Sequence, residues 1–85
     1  VHHGNGTQAA FERDPAYFYI SIHQAYIYPG TGQRTERGVG NILNVPLLAG
    51  SGSTDLRHVW QQEIDPALRA FQPQLLLISA GFDAH

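Results

Sequence analysis

His2 and Asp83 are the residues whose types could most directly do chemistry. An imidazole nitrogen with a carboxylate oxygen is a common donor set for a catalytic zinc ion, which keeps one position open for water. His2 stands in the run His2-His3-Gly4-Asn5-Gly6. Adjacent histidines point in different directions, so at most one of them normally serves a given metal. The glycines let the backbone turn tightly there. The plain alternative is a polar surface turn. Asp83 stands in Ser79-Ala80-Gly81-Phe82-Asp83-Ala84-His85, directly after an apolar run. A carboxylate just past a buried strand is rigidly aimed, as a metal ligand has to be. Its alternative is the cap of a following helix. Two ligands do not close a site, so a third comes from outside these residues or from ones that spacing alone does not identify.

The elements that position these groups alternate in type. A short helix is expected over 8–13, started at Thr7 and stopped by Asp14-Pro15, because proline cannot extend a helix. The aromatic and β-branched run from Tyr17 to Ile22 suits a strand buried on both faces. An irregular stretch follows from His23 to Gly40, and a loop of that length inside a compact domain is usually functional. Within it Arg34, Glu36 and Arg37 read as a solvated segment. A second strand is expected over 41–47, ended by Pro46. Ser53 or Thr54 then caps a helix whose apolar face is Leu56, Val59, Trp60, Ile64, Ala67, Leu68 and Phe71. His58 reads as surface and Trp60 as core. Pro66 implies a kink near Gln62 or a restart capped by Asp65. A third strand is expected over 75–80. Apolar strands alternating with helices favour an α/β fold with a parallel sheet, whose ligands collect at the carboxyl ends of strands. His23 and Asp83 both lie just past such predicted ends.

The chain has 85 residues, no cysteine and a formal charge of −2 with only five Lys plus Arg. Disulfides and thiolate zinc sites are therefore excluded. The charge argues against direct nucleic-acid binding, which needs a basic patch to displace counterions. No apolar run approaches the ~18 residues of a membrane span. A chain this short buries only roughly 60% of its unfolded surface. There is no initiator Met, and the most chemical-looking residues sit at the two ends. The expectation is one segment, 1–85, cut from the middle of a larger catalytic domain.

Five blocks resemble the histone deacetylase family, in its order and at its approximate spacing. They are Val1 to Gln8, Ser21 to His23, Tyr28 to Gly32, Asn44 to Leu47 and Ser79 to His85. Asn5 and the Gly-Phe-Asp-Ala-His ending look more like class II and bacterial members, including acetylpolyamine amidohydrolases. The resemblance covers essentially the whole chain. It implies an arginase/deacetylase-like three-layer α/β fold with a mostly parallel sheet. It also implies zinc-dependent hydrolysis of an acetyl-lysine or acetylpolyamine amide, releasing acetate and a free amine.

On this resemblance His2 and Asp83 match two of three zinc ligands, and the third, an Asp, would precede Val1. The family's paired catalytic histidines and its carbonyl-polarising Tyr would also lie outside these residues, so the segment is not expected to act alone. Asn5 matches the residue that orients one of those histidines. Asn holds the ring without adding negative charge, which leaves the imidazole easier to deprotonate. His3 then reads as a buried hydrogen-bonding histidine. Monovalent cations such as K⁺ would meet Ser21, Ile22 and the His2 carbonyl at one position, and Phe11, Asp14, Tyr17 and Asn41 at another. Tyr28 aligns with an aromatic wall of the acyl-lysine tunnel; its alternative is an exposed loop aromatic. The competing function is an inactive relative that binds acylated ligands. The implied partners are acylated lysine or polyamine substrates, with no membrane and no direct nucleic acid. The implied location is cytoplasmic in a bacterium or nuclear in a eukaryote.

Overall fold

The computed structural model describes residues 1–83, so Ala84 and His85 at the end of the last motif lie outside the described residues. The chain divides into two compact units, residues 2–50 and Val1 with residues 51 onward.

In the first unit α1 spans Asn5–Phe11, starting three residues earlier than its pattern suggests. The Tyr19 hydroxyl supplies the missing side-chain cap by accepting from the Gly4 N–H at 3.1 Å. Two strands follow, β1 (Tyr19–Gln24) and β2 (Ile42–Leu47). They pair in parallel, with Ser21 opposite Asn44 and His23 opposite Pro46. The α/β class and the parallel pairing therefore stand. The strand boundaries do not: β1 runs two residues further than expected, so His23 lies inside it rather than past its end. The ladder extends because β2 continues through Pro46, and the Ala25 N–H donates to the Leu47 carbonyl at 2.7 Å.

Side chains alternate faces along a strand, so Ser21 and His23 share the buried face of β1. Around them the interior of this unit is unusually polar. His3, Gln8, Ser21, His23, Asn41 and Asn44 are buried beside Ile42 and Val45. Buried polar groups need partners, and those partners come from the segment between the strands.

In the second unit α2 (Ser53–Val59) and α3 (Asp65–Phe71) are joined by one π-helical stretch, Trp60–Ile64. The widened turn ends just before Pro66, which has no N–H to give the preceding turn. This is the irregularity expected there. Gly52, not Ser53 or Thr54, is the N-cap, and its N–H donates to Asp55 Oδ2 at 2.8 Å. Val59 and Ile64 are buried, whereas Trp60 is half exposed and not core. The Leu75–Ala80 run is not a strand here. It is extended and open, with Leu77 83% exposed, because no strand among the described residues pairs with it.

Candidate active site

The turn at the start of the first unit separates its two adjacent histidines. His3 is buried, with Nε2 2.8 Å from Gln8 Oε1 and Nδ1 2.7 Å from Thr31 Oγ1. Gln8 Nε2 donates to Glu36 Oε1 at 2.9 Å, which fixes the amide and makes its oxygen the acceptor. His3 Nε2 therefore donates, and in the neutral ring Nδ1 accepts from the Thr31 hydroxyl. His2 is exposed, its ring edge-on to Tyr28 with centroids 6.3 Å apart. The buried hydrogen-bonding role expected of His3 is the one observed. The exposed ring beside the 80% exposed Tyr28 is His2.

Glu36, which reads as solvated in the sequence, organises the loop. Its carboxylate accepts from the Gly32 and Gln33 N–H groups at 2.9–3.1 Å and from Gln8. Gln8 Oε1 also accepts from Asn44 Nδ2 at 2.8 Å. Nothing in the spacing of Gln8, Thr31, Glu36 and Asn44 marks them individually as site residues. Gln8, Thr31 and Asn44 fall inside the blocks that carry the family resemblance, and Glu36 lies outside them. Asn44 Oδ1 is a buried atom with no hydrogen-bond partner among the described residues.

His23 lies beside this network, its ring centroid 4.9 Å from that of His3. Its Nε2 is 2.9 Å from the Gly32 carbonyl and must donate to it. Its Nδ1 is 2.9 Å from Ser21 Oγ. Burial holds the imidazole below its ordinary value near 6.5, outweighing the Gly32 hydrogen bond. The ring is neutral at pH 7, so Nδ1 accepts the Ser21 proton and leaves the Ser21 lone pairs facing elsewhere. Burial would push the Glu36 carboxyl up, but the bonds from Gln33, Gln8 and Gly32 outweigh it and hold the group below 4.5.

These directions set an acid response. Below about 6.5 the unfolded chain takes up a proton on His23 that the folded chain resists, so stability falls with pH from there down to the lowered folded value. Glu36 contributes stability above its unfolded value near 4.5 and loses it as pH falls through the lower folded one. Urea midpoints measured from pH 8 to pH 4 are expected to decline in two stages. His23→Gln is expected to flatten the first stage.

Asp83, in the second unit, is exposed and accepts from the Val1 ammonium at 3.0 Å. It lies in a turn, and the residues before it form no strand. Asn5 is exposed in the first turn of α1. Ser21 and Ile22 lie side by side in β1. Phe11, Asp14 and Tyr17 direct their carbonyls onto the side-chain amide of Asn41, at 2.8, 2.9 and 3.0 Å. Among the described residues no three His, Asp or Glu side chains form a group able to hold a metal ion. No helix among them is long and apolar enough to cross a membrane.

A parallel strand pair with flanking helices places the described residues in the α/β class. The family model for the histone deacetylase domain matches residues 1–85, and the chain belongs to that family. It is 47% identical, over its whole length, to histone deacetylase 14, chloroplastic, of Arabidopsis thaliana, covering 21% of that protein. It is 46% identical to an uncharacterized protein of Synechocystis, covering 28% of it. A probable deacetylase of Archaeoglobus fulgidus is 42% identical, with 25% covered. The chain thus spans between 21% and 28% of the length of these three relatives.

Proposed function

We propose that the full-length protein is a zinc-dependent deacetylase that cleaves a linear acetyl amide, of acetyl-lysine or of an acetylpolyamine, into acetate and a free amine. The observation that carries this reading is the division of labour in the histidine turn. His3 is committed to Thr31 and Gln8, while His2 is exposed beside Tyr28.

The donor types fit zinc: a ring nitrogen from His2 and a carboxylate from Asp83, with a further ligand still required. Bound zinc would polarise the amide carbonyl and lower the pKa of its water. The chain's own residues do the rest of the work that falls to this segment. The Glu36 network ties Gln8, and through it His3, to the turn at Gly32 and Gln33. Asn5 orients a general-base histidine from elsewhere in the protein. Tyr28 forms part of the wall along which the acyl chain lies, its hydroxyl adding a polar edge. Ser21 and Ile22 are the residues we propose for a monovalent cation. We place the protein in the cytoplasm; the chloroplastic relatives make the plastid the compartment to examine in a plant source.

The test is turnover of a fluorogenic acetyl-lysine peptide and of an acetylpolyamine by the full-length protein. Dialysis against a chelator is expected to abolish activity, and added zinc to restore it. Turnover that survives complete metal removal would refute the metal-dependent reading. Tight binding of the acetyl ligands without turnover would assign the protein to the non-hydrolytic alternative.

A further inference from the structure

Phe11, Asp14 and Tyr17 are spaced by three along the chain, and the backbone closes on that spacing. The Asp14 N–H donates to the Phe11 carbonyl at 3.0 Å, and the Tyr17 N–H to the Asp14 carbonyl at 3.1 Å. Asp14 Oδ1 tightens the second turn by accepting from the Ala16 N–H at 3.0 Å. The Phe11 and Tyr17 rings stack with centroids 4.4 Å apart. Successive turns of this kind point three carbonyls the same way. Each has spent one lone pair on the turn or has both to offer, and all three converge on one point.

Oxygen dipoles aimed together at one point form a cradle for a cation, the family expectation for these residues. The point is filled. Asn41 is buried, and its Nδ2 lies 2.8–3.0 Å from all three oxygens. The orientation of the amide is dictated by its neighbours: the Val39 N–H donates to Oδ1 at 3.2 Å, and three carbonyls require the NH₂ end. The Asn41 backbone carbonyl is also engaged, accepting from the Tyr19 N–H at 3.0 Å where the strands begin to pair. Gly38, at φ +56, backs this arrangement: a Cβ there would lie 2.6 Å from Asn41 Oδ1 and 2.5 Å from the Glu12 carbonyl. The side chain thus has a close-fitting seat. A cation entering the cradle would have to expel a buried amide and strand its donors.

We propose that the Asn41 amide stands in place of a cation at this cradle, so that the connection leaving α1 and the start of β2 are joined by an internal donor. The two hydrogens of the NH₂ serve three acceptors, one of them shared, and supply the positive end that an ion would otherwise bring. The inference is independent of the hydrolase reading, since it concerns residues outside the proposed zinc ligands.

The experiment is crystallographic, on the full-length protein soaked in thallous ion as a K⁺ probe. Wild type is expected to show no anomalous density at the three carbonyls, and Asn41→Ala to show a peak there. The same variant is expected to lose roughly 5 °C or more of Tm in tetramethylammonium chloride and to recover part of it in KCl, beyond any K⁺ response of wild type. A thallous peak at the carbonyls of wild type, with the amide displaced, overturns the proposal. So does an Asn41→Ala protein whose carbonyls attract no ion. If that variant does not fold, the wild-type soak alone decides, a peak overturning the proposal and its absence supporting it.

Discussion

Replacing His2 with alanine is expected to lower deacetylase turnover of the full-length protein by at least about 100-fold, since even groups that only support a metal ligand contribute 10–100-fold. The fold is expected to survive, because the His2 ring is exposed. His3→Ala is expected to do the reverse. It breaks the bonds to Thr31 and Gln8 in a buried site, at a cost of about 1–3 kcal/mol for each group left unpaired. Tm drops while zinc content measured below Tm stays near wild type. Asp83→Ala is expected to behave like His2→Ala, losing zinc and turnover while Tm falls only to that of the metal-free wild type. The measurement that separates these is zinc per protein molecule beside Tm for all three variants. Full zinc loading in His2→Ala, or loss of zinc in a folded His3→Ala protein, would reverse the assignment of the two imidazoles.

Gly32→Ala is expected to be among the most destabilising single-methyl changes in the first unit. Gly32 has φ +90, and an added Cβ would lie 2.5 Å from His23 Nε2, 2.6 Å from His3 Cγ and 2.7 Å from His23 Cε1. The left-handed backbone alone costs a non-glycine residue about 1–2 kcal/mol. Forcing a methyl group into packed rings adds about 1–3 kcal/mol. Neither ring can yield cheaply. His23 is tied to the Gly32 carbonyl and Ser21, and His3 to Thr31 and Gln8. A loss of about 3 kcal/mol or more in urea unfolding is the expected result. A change under about 1 kcal/mol would mean that the two rings are not locked in these positions. Gly50→Ala is a useful contrast: it has a similar positive φ of +87 but open space around the added methyl, so it carries the backbone cost alone.

Much of the arrangement was legible in the sequence because it depends on local rules. Proline marked the irregularity before Pro66, and the two β-branched runs identified the parallel strands. Family motifs predicted that His3 would be the inward histidine. The misreadings share a cause. Glu36 looked solvated because it lies among Arg34, Thr35 and Arg37, yet the carboxylate folds back onto backbone amides that no periodicity reveals. Trp60 looked like core because its spacing matches a regular helix, but residues 60–64 form a π turn and the residues buried there are Val59 and Ile64. Leu75 to Ile78 looked like a buried strand because burial was inferred from residue type. A strand also needs hydrogen-bonding neighbours, and none of the described residues supplies them. The family resemblance grouped Phe11, Asp14, Tyr17 and Asn41 around a cation; that the Asn41 side chain would meet the other three carbonyls was not legible, because it depends on the backbone turns that aim them.

The segment joining β1 to β2 has no helix or strand, yet it covers the polar face of the pair. Thr31, Gly32 and Glu36 satisfy histidines and amides that would otherwise be buried without partners. Length changes are usually absorbed by irregular surface segments with little penalty. Here an inserted residue between Gly30 and Glu36 would move the carboxylate off two amides and the carbonyl off His23 at once. Room for natural variation in length therefore lies outside that stretch, and a domain graft or tag insertion should avoid the part of the connection that secondary structure alone would mark as safest.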